Sequence, residues 1–359
     1  MRITIADVFQ QLAAEGLAPA GAVERARDAL RAGVAEEMPW YLRTMVALGA
    51  WAATGFLLGF FFAIAGLRSS IMRIVLGVLL VALAVWARRT TRAEFLRQAA
   101  VAASLAGQGL VLSGVGEQLR DMKSVALVSL VMAVVMLRVM PDWVHRFLVS
   151  LFGAGAVIVF FADMKGSYML DVGAIVLISA AAYVWRFRLR ERRADVAEML
   201  EPVAYALVVA LFALLLTSLA THGAFFFREL GATRRAPAVG PLTTTAFTLA
   251  LAALAWSVLE EHGTPLNSPI AFAALLGVIA LGAGALSSPG IVASAAVLTL
   301  AFDRRDPVLL GMAVVFVIVF GAAYYYNLDL TLLQKSGVLA GSGLLLLAIR
   351  SRVVPRGAA

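Results

Sequence analysis

Apolar residues form about a dozen long runs between Trp40 and Ile349, and short polar connectors separate each run from the next. A helix of about twenty apolar residues is about 30 Å long, which matches the hydrocarbon core of a bilayer. The pattern therefore predicts an all-α fold, a polytopic transmembrane helical bundle with about 12 spanning helices. The predicted spans are 41–66, 71–87, 95–116, 124–140, 145–162, 169–186, 201–221, 242–260, 268–286, 289–302, 307–326 and 332–349.

The residues before the first span have an amphipathic pattern instead. Apolar residues within 5–12 recur at helical spacing, and a second amphipathic segment covers 20–35, with Gly16 and Pro19 between the two. We expect residues 1–38 to form a short N-terminal cytoplasmic helical hairpin. Its apolar stripe suits the membrane surface, and a docking site for a partner is the alternative.

A connector rich in arginine, Arg186–Glu198, divides the spans into six and six. This layout is common in transporters built from two related halves, although no residue-level repeat relates the halves here. The span 289–302 is short enough to be re-entrant. The predicted divisions are a transmembrane domain 39–350, with halves 41–186 and 199–350, and a cytoplasmic tail 351–359.

Composition and charge agree with a membrane protein and give it an orientation. Hydrophobic residues make up 62% of the chain and charged residues 14%, with a mean hydropathy of +0.91, whereas a soluble domain has about 25% charged residues. The basic residues are almost all arginine, and they are concentrated in alternate connectors. Because basic loops stay in the cytoplasm, this predicts both termini inside. Nucleic acid is not an expected partner, because the charges are dispersed among apolar runs.

Catalytic and metal-binding patterns are missing from the sequence. The chain has no cysteine, which excludes disulfides and thiolate sites. The three histidines, His145, His222 and His262, fall in separate predicted connectors, and no His-x3-His spacing or serine, histidine and acid grouping occurs. We therefore predict neither an enzyme nor a resident metal or cofactor.

Ionisable residues within the predicted spans are few, and those present, such as Asp171, lie within about a turn of a helix end, where water can solvate them. The span 95–116 is the most polar and is also rich in glycine. Close helix packing explains most of this pattern. The alternative is a polar cavity, for which the candidate lining residues are Gln98, Gln108 and Glu117.

A polar and aromatic turn precedes the last predicted span. Three consecutive tyrosines cover nearly all sides of a helix end, which exceeds what anchoring at the membrane interface requires. The turn is therefore a candidate surface for a partner on the periplasmic side. The residues of this candidate partner surface are Tyr324, Tyr325, Tyr326, Asn327, Asp329 and Lys335.

The Tyr-Tyr-Tyr-x-Leu-Asp-x-Thr-Leu-Leu-x-Lys-Ser segment at 324–336, with Pro39-Trp40-Tyr41 leading into Gly49-Ala50-Trp51, resembles an uncharacterised family of bacterial multipass inner-membrane proteins, known only as a domain of unknown function. The resemblance covers nearly the whole chain. It implies the inner membrane of a Gram-negative bacterium and a periplasmic, membrane-anchored partner protein with a GDYXXLXY motif, often encoded beside it. It implies no activity.

Two functions fit these patterns. The first is translocation of a small amphiphilic or lipid-linked molecule, favoured by two sets of six spans and a polar span 95–116. The second is a membrane scaffold that holds the periplasmic partner through the turn at 324–335. The sequence favours the first slightly, on the general frequency of transporters among large helical bundles, and it does not specify a substrate, a coupling ion or an oligomeric state.

Overall fold

The computed structural model describes residues 45–46, 48–56, 59, 69–91, 93–164, 168–190, 194–221, 241–265, 268–286 and 288–327. These residues contain helices and no β-strand. The predicted hairpin 1–38, the span 332–349 and the tail 351–359 lie outside them, and the span 41–66 is described only in part. The bounded helices are α1 (Ser70–Thr90), α2 (Glu94–Leu119), α3 (Met122–Val139), α4 (Trp143–Ala162), α5 (Met169–Arg190), α6 (Ala194–Thr221), α7 (Pro241–Glu261), α8 (Pro269–Gly284), α9 (Pro289–Arg304) and α10 (Pro307–Asn327).

Each predicted span from 71–87 to 307–326 coincides with one of these helices. The connector Arg186–Glu198 is the main difference, because α5 continues to Arg190 and α6 already begins at Ala194. Charged residues end a run of apolar residues without ending a helix, since arginine and glutamate have high helix propensity. Hydropathy therefore placed the end of the apolar run correctly and the end of the helix too early.

Among the described residues, seven helices are long and apolar enough to cross a membrane, and the protein is therefore a helical membrane protein. Two further apolar segments, Met169–Trp185 within α5 and Pro269–Gly284, which is α8, are shorter. The seven long candidates are α1, α2, α3, α4, α7, most of α6 and most of α10.

Several helices begin where a polar side chain accepts a hydrogen bond from the first turn. Asp121 accepts from the backbone N–H of Ser124 at 3.0 Å, and Asp142 caps α4 in the same way through His145 at 3.0 Å. Ser268 caps α8, which continues with proline at its first position. These caps satisfy N–H groups that a helix cannot pair by itself, and proline needs no partner there.

The described residues fall into two compact units. The described parts of 45–59 and 82–106 belong to one, and residues 69–81 and the described part of 107–327 belong to the other. In the first unit, Glu94 at the start of α2 accepts a hydrogen bond from Gln98 at 2.9 Å and pairs with Arg97. Ser104 and Val101, one turn further along, are fully buried.

The second unit has its core around α6, which contacts α4, α5, α9 and α10. Phe212 on α6 stacks on Phe316 of α10 with ring centroids 3.5 Å apart, and Phe320 lies beside both. The Phe320 ring packs directly over Gly290 at the start of α9, where no side chain would fit. Aromatic stacking and a glycine contact thus hold α9 and α10 against the central helix.

Candidate functional site

An apolar cavity of about 220 Å³ lies among α5, α6, α7 and α9 in the second unit. Its walls come from small and branched side chains at helical spacing, so each helix contributes one face. On α9 the lining residues run from Ala293 through Val297 to Arg304, and these eleven residue steps span about 16 Å along the helix axis at 1.5 Å per residue. The cavity is therefore elongated along the helices.

Apart from the indole of Trp185, two of the lining side chains are polar. These are Ser257 on α7 and Arg304 on α9. The Ser257 hydroxyl donates a hydrogen bond to the carbonyl of Leu254 at 2.8 Å, within its own helix. Arg304 is therefore the group that gives this cavity a charged end.

Two carboxylates hold Arg304 in place. The Nε atom lies 2.9 Å from Oδ2 of Asp303, whose side chain is buried, and one terminal nitrogen, Nη2, lies 3.7 Å from Oε1 of Glu261. The second distance exceeds that of a hydrogen bond, and the Glu261 side chain is 55% exposed. The guanidinium is thus paired with both carboxylates by charge, because Nε and Oδ2 of Asp303 lack hydrogen-bond geometry and the terminal nitrogen is too far from Glu261.

The end of α9 fixes the position of Arg304. Arg305 adopts the left-handed conformation, with φ 52°, and its N–H bonds back toward the last turn. Asp306 then caps α10, since its Oδ1 atom accepts from the N–H groups of Val308 and Leu309 at 3.0 Å each. Helix α9 therefore ends at Arg304, the residue at the charged end of the cavity, and α10 begins three residues later.

Aromatic side chains surround the same end of the helices. Trp185 lines the cavity and packs edge-on against Tyr205, with ring centroids 5.7 Å apart. The Tyr205 hydroxyl donates a hydrogen bond to Oδ2 of Asp306, which links α6 to the start of α10. This network couples the wall of the cavity to the helix cap beside Arg304.

A buried carboxylate lies at the opposite ends of α5 and α7. Asp171, in the first turn of α5, is 2% exposed and accepts hydrogen bonds from the backbone N–H of Thr243, at 3.2 Å, and from its hydroxyl. Asp171 lies within a turn of a helix end, as the sequence indicated, but the start of α7 solvates it instead of water. Such a carboxylate acts as an N-cap supplied by another helix.

The residues proposed for a polar cavity each have a different partner. Gln108 is buried, and its amide nitrogen lies 3.3 Å from Nε2 of His145 on α4. Glu117 forms an ion pair with Arg73 on α1. Nine residues at about 100° each put Gln108 and Glu117 on opposite sides of α2. Gln98 lies in the other unit and bonds to Glu94.

Close packing accounts for two of the four glycines in α2, Gly107 and Gly114. A Cβ atom on Gly107 would lie 2.8 Å from the carbonyl oxygen of Gly77 on α1, and one on Gly114 would meet the Ser70 carbonyl at 2.7 Å. The apolar cavity described above has no lining residue from α2. A polar cavity at Gln98, Gln108 and Glu117 stays a prediction.

The sequence predicts His145 in a connector, and this prediction is wrong. Asp142 caps α4, which begins at Trp143, so His145 lies in the first turn of the helix. Its side chain is fully buried. An aspartate followed by an apolar run is a cap signal, and this signal could have placed the histidine inside the helix. Within the described residues, no group of three histidine, aspartate or glutamate side chains could hold a metal ion.

The candidate partner surface is described only at its beginning. Tyr324 donates a hydrogen bond from its hydroxyl to the carbonyl of Gly284, at the end of α8, at 3.0 Å. Tyr325 is half-buried. The backbone of Tyr326 and Asn327 completes α10, while Asp329 and Lys335 lie outside the described residues.

A family model described as a domain of unknown function (DUF4401) matches residues 39–354. No curated protein matches the chain significantly, and neither does any solved structure.

Proposed function

The chain belongs to the DUF4401 family, and we propose that it binds a small single-chain amphiphile inside its helical bundle as the first step in translocating that molecule. The elongated apolar cavity among α5, α6, α7 and α9 is the observation that carries this proposal. Membrane-embedded cavities are exceptions to close packing, since interiors otherwise leave few voids larger than a water molecule. A cavity of this shape fits a hydrocarbon chain that lies parallel to the helices.

The volume limits the size of the bound part. An apolar cavity of about 150 Å³ accommodates benzene, so one of about 220 Å³ holds about eight or nine carbon atoms. One acyl chain, and not the two chains of a phospholipid, matches this capacity. The remainder of a longer chain would extend into the surrounding bilayer.

The predicted topology supports a direction for the process. With both termini inside, the ends of α5, α7 and α9 that surround Arg304 face the cytoplasm of a Gram-negative cell, and the protein resides in its inner membrane. The amphiphile would therefore enter from the cytoplasmic leaflet. The division into two sets of six spans, which is common among transporters, supports movement beyond binding.

Photo-crosslinking tests the binding step. The full chain is placed in phosphatidylcholine nanodiscs with a twelve-carbon alcohol that carries a diazirine in its chain, and the labelled peptides are identified by mass spectrometry. We expect labels on lining residues of α6, α7 and α9, such as Leu211, Leu254 and Leu300. The variant Ala250→Phe fills the cavity and should remove these labels.

The matched control is Leu249→Phe, because Leu249 adjoins Ala250 but is 66% exposed on the outer surface of α7. It should retain cavity labelling. A melting temperature for each variant excludes unfolding as the cause of a loss. Labels confined to outward-facing residues in the wild-type protein, or full cavity labelling in Ala250→Phe, would refute the proposal.

The alternative is a scaffold that holds a membrane-anchored GDYXXLXY-motif protein through the turn at 324–335. The Tyr324 hydrogen bond to Gly284 gives that tyrosine a role within the bundle, which weakens this alternative. Co-purification of the two proteins tests it. Loss of the partner on replacing all three tyrosines by alanine, with the bundle still folded, would favour the scaffold over translocation.

A further inference from the structure

We infer that Arg304 selects the amphiphile by binding an oxyanion on its head group, and this inference rests on the proposed function. The ligand class is an acyl or alkyl chain that ends in a phosphate or a carboxylate. The juxtaposition of one guanidinium with an otherwise apolar, elongated cavity carries the inference.

The chain of an amphiphile contributes little selectivity in this setting. Lipid tails are as apolar as leucine, so transfer of a chain from the bilayer to the cavity gains no hydrophobic free energy. Discrimination between amphiphiles must therefore come from polar contacts. The Ser257 hydroxyl donates to the carbonyl of Leu254, and Arg304 is the one charged side chain among the residues that line this cavity.

The geometry of Arg304 suits an incoming oxyanion. Asp303 lies 2.9 Å from the Nε atom without hydrogen-bond geometry, so it holds that side of the guanidinium by charge and leaves the terminal nitrogens to other partners. The loose contact with Glu261 at the terminal nitrogens is exposed to solvent, and ion pairs of this kind contribute little free energy. A phosphate or carboxylate can displace Glu261 and form two parallel hydrogen bonds with the terminal N–H groups.

Paired photoprobes test the inference. The first probe is a twelve-carbon alkyl phosphate with a diazirine in its chain, and the second is the alcohol described above, with the same chain. We expect the wild-type protein to label more strongly with the phosphate at equal concentration. Arg304→Gln should lower the ratio of phosphate to alcohol labelling about tenfold or more, because charge-assisted hydrogen bonds are lost. Glu261→Gln should raise the ratio about two- to fivefold, because a competitor for the guanidinium is removed.

Controls separate this inference from the proposed function. Arg138→Gln changes an exposed arginine in the last turn of α3, which does not line the cavity, and should leave the ratio unchanged. Inorganic phosphate should not compete, since it lacks the chain. If both probes label the cavity but Arg304→Gln leaves the ratio as in the wild type, the inference fails and the proposed function stands. If neither probe labels the cavity, both fail.

Discussion

Gly290 allows the Phe320 ring to rest on the backbone of α9. A Cβ atom at this position would lie closer than 3.0 Å to the ring, and Phe320 is 2% exposed, so it cannot move aside freely. We predict that Gly290→Ala lowers the free energy of unfolding by about 1–3 kcal/mol, the usual cost of overpacking a core. Thermal unfolding in detergent measures the change. Gly311→Ala on α10, which has open space around its Cβ, is the control, and equal melting temperatures for the two variants would contradict the prediction.

Asp121 makes the start of α3 sensitive to acid. Hydrogen bonds from the Ser124 hydroxyl, at 2.6 Å, and from the Ser124 backbone N–H lower the pKa of this exposed carboxyl below its ordinary 3.8. A lowered pKa means that the folded state favours the ionised form. The stabilisation is therefore present above the pKa of the unfolded chain and is lost as the pH falls through the folded value.

We predict that Asp121→Ala reduces the melting temperature at pH 7 and that the difference from wild type shrinks toward zero as the pH falls below 3.8. Melting curves at several pH values measure it. Ser124→Ala removes the largest cause of the shift and should move the transition to higher pH. A difference that stays constant from pH 7 to pH 3 would exclude the cap as its source.

Residue environments were only partly predictable from the sequence. A polar residue before an apolar run is a cap signal that could have located Asp121 and Asp142, although we did not predict these two caps. The burial of Asp171 and His145 did not follow. A residue near a helix end is normally solvated, and the sequence does not reveal which other helix covers that end.

Among the helices, α1 and α2 depend on glycine for close contact near Gly77 and Gly107. We predict that Gly107→Ala, whose Cβ would meet the Gly77 backbone at 2.8 Å, separates the two helices locally and lowers stability by about 1–3 kcal/mol. Gly109→Ala on the same helix faces open space, and its better helix propensity should leave stability equal or slightly higher. Thermal unfolding distinguishes them, and equal losses would indicate that close approach is unimportant.

Helix positions were predictable because apolar runs and prolines mark them. The starts of α9 and α10 are marked by Pro289 and Pro307, because proline is favoured at the first position of a helix. The predicted span begins at 201, whereas α6 begins at Ala194, because the charged residues Asp195 and Glu198 belong to its first turns. Hydropathy marks the membrane boundary, whereas helices extend past it into water.

For the whole protein, translocation is measurable as movement of a probe between leaflets. We predict that proteoliposomes exchange a fluorescent alkyl phosphate between leaflets faster than liposomes without protein, measured by reduction of the outer label with dithionite. Ala250→Phe should return exchange to the protein-free rate, since it fills the cavity, and Leu249→Phe should not. Equal exchange in both variants would place the route elsewhere.

Orientation gives a second prediction for the whole protein. The arginine-rich segment 186–198 should lie in the cytoplasm, because basic residues resist export. Alkaline phosphatase, which is active only in the periplasm, should be inactive when fused after Glu198 and active when fused after Gly240. The reverse pattern would invert the orientation and place Arg304 at the periplasmic side.

The cavity itself could not be predicted from the sequence. Its walls are mostly alanine, valine and leucine from four helices, and these residues look the same in sequence as those that face lipid. Only the three-dimensional packing of α5, α6, α7 and α9 shows which of them surround an empty space. The sequence did identify the class of molecule correctly, as a helical membrane protein.

The cap that Asp171 supplies to α7 bears on the order of biogenesis. The ribosome releases α5 before α7, so an acceptor for the first turn of α7 is already in the bilayer when that helix arrives. A truncated chain that ends before Pro241 lacks both of these donors. The contact therefore forms only after α7 has been synthesised, and it ties the start of that helix to one inserted earlier.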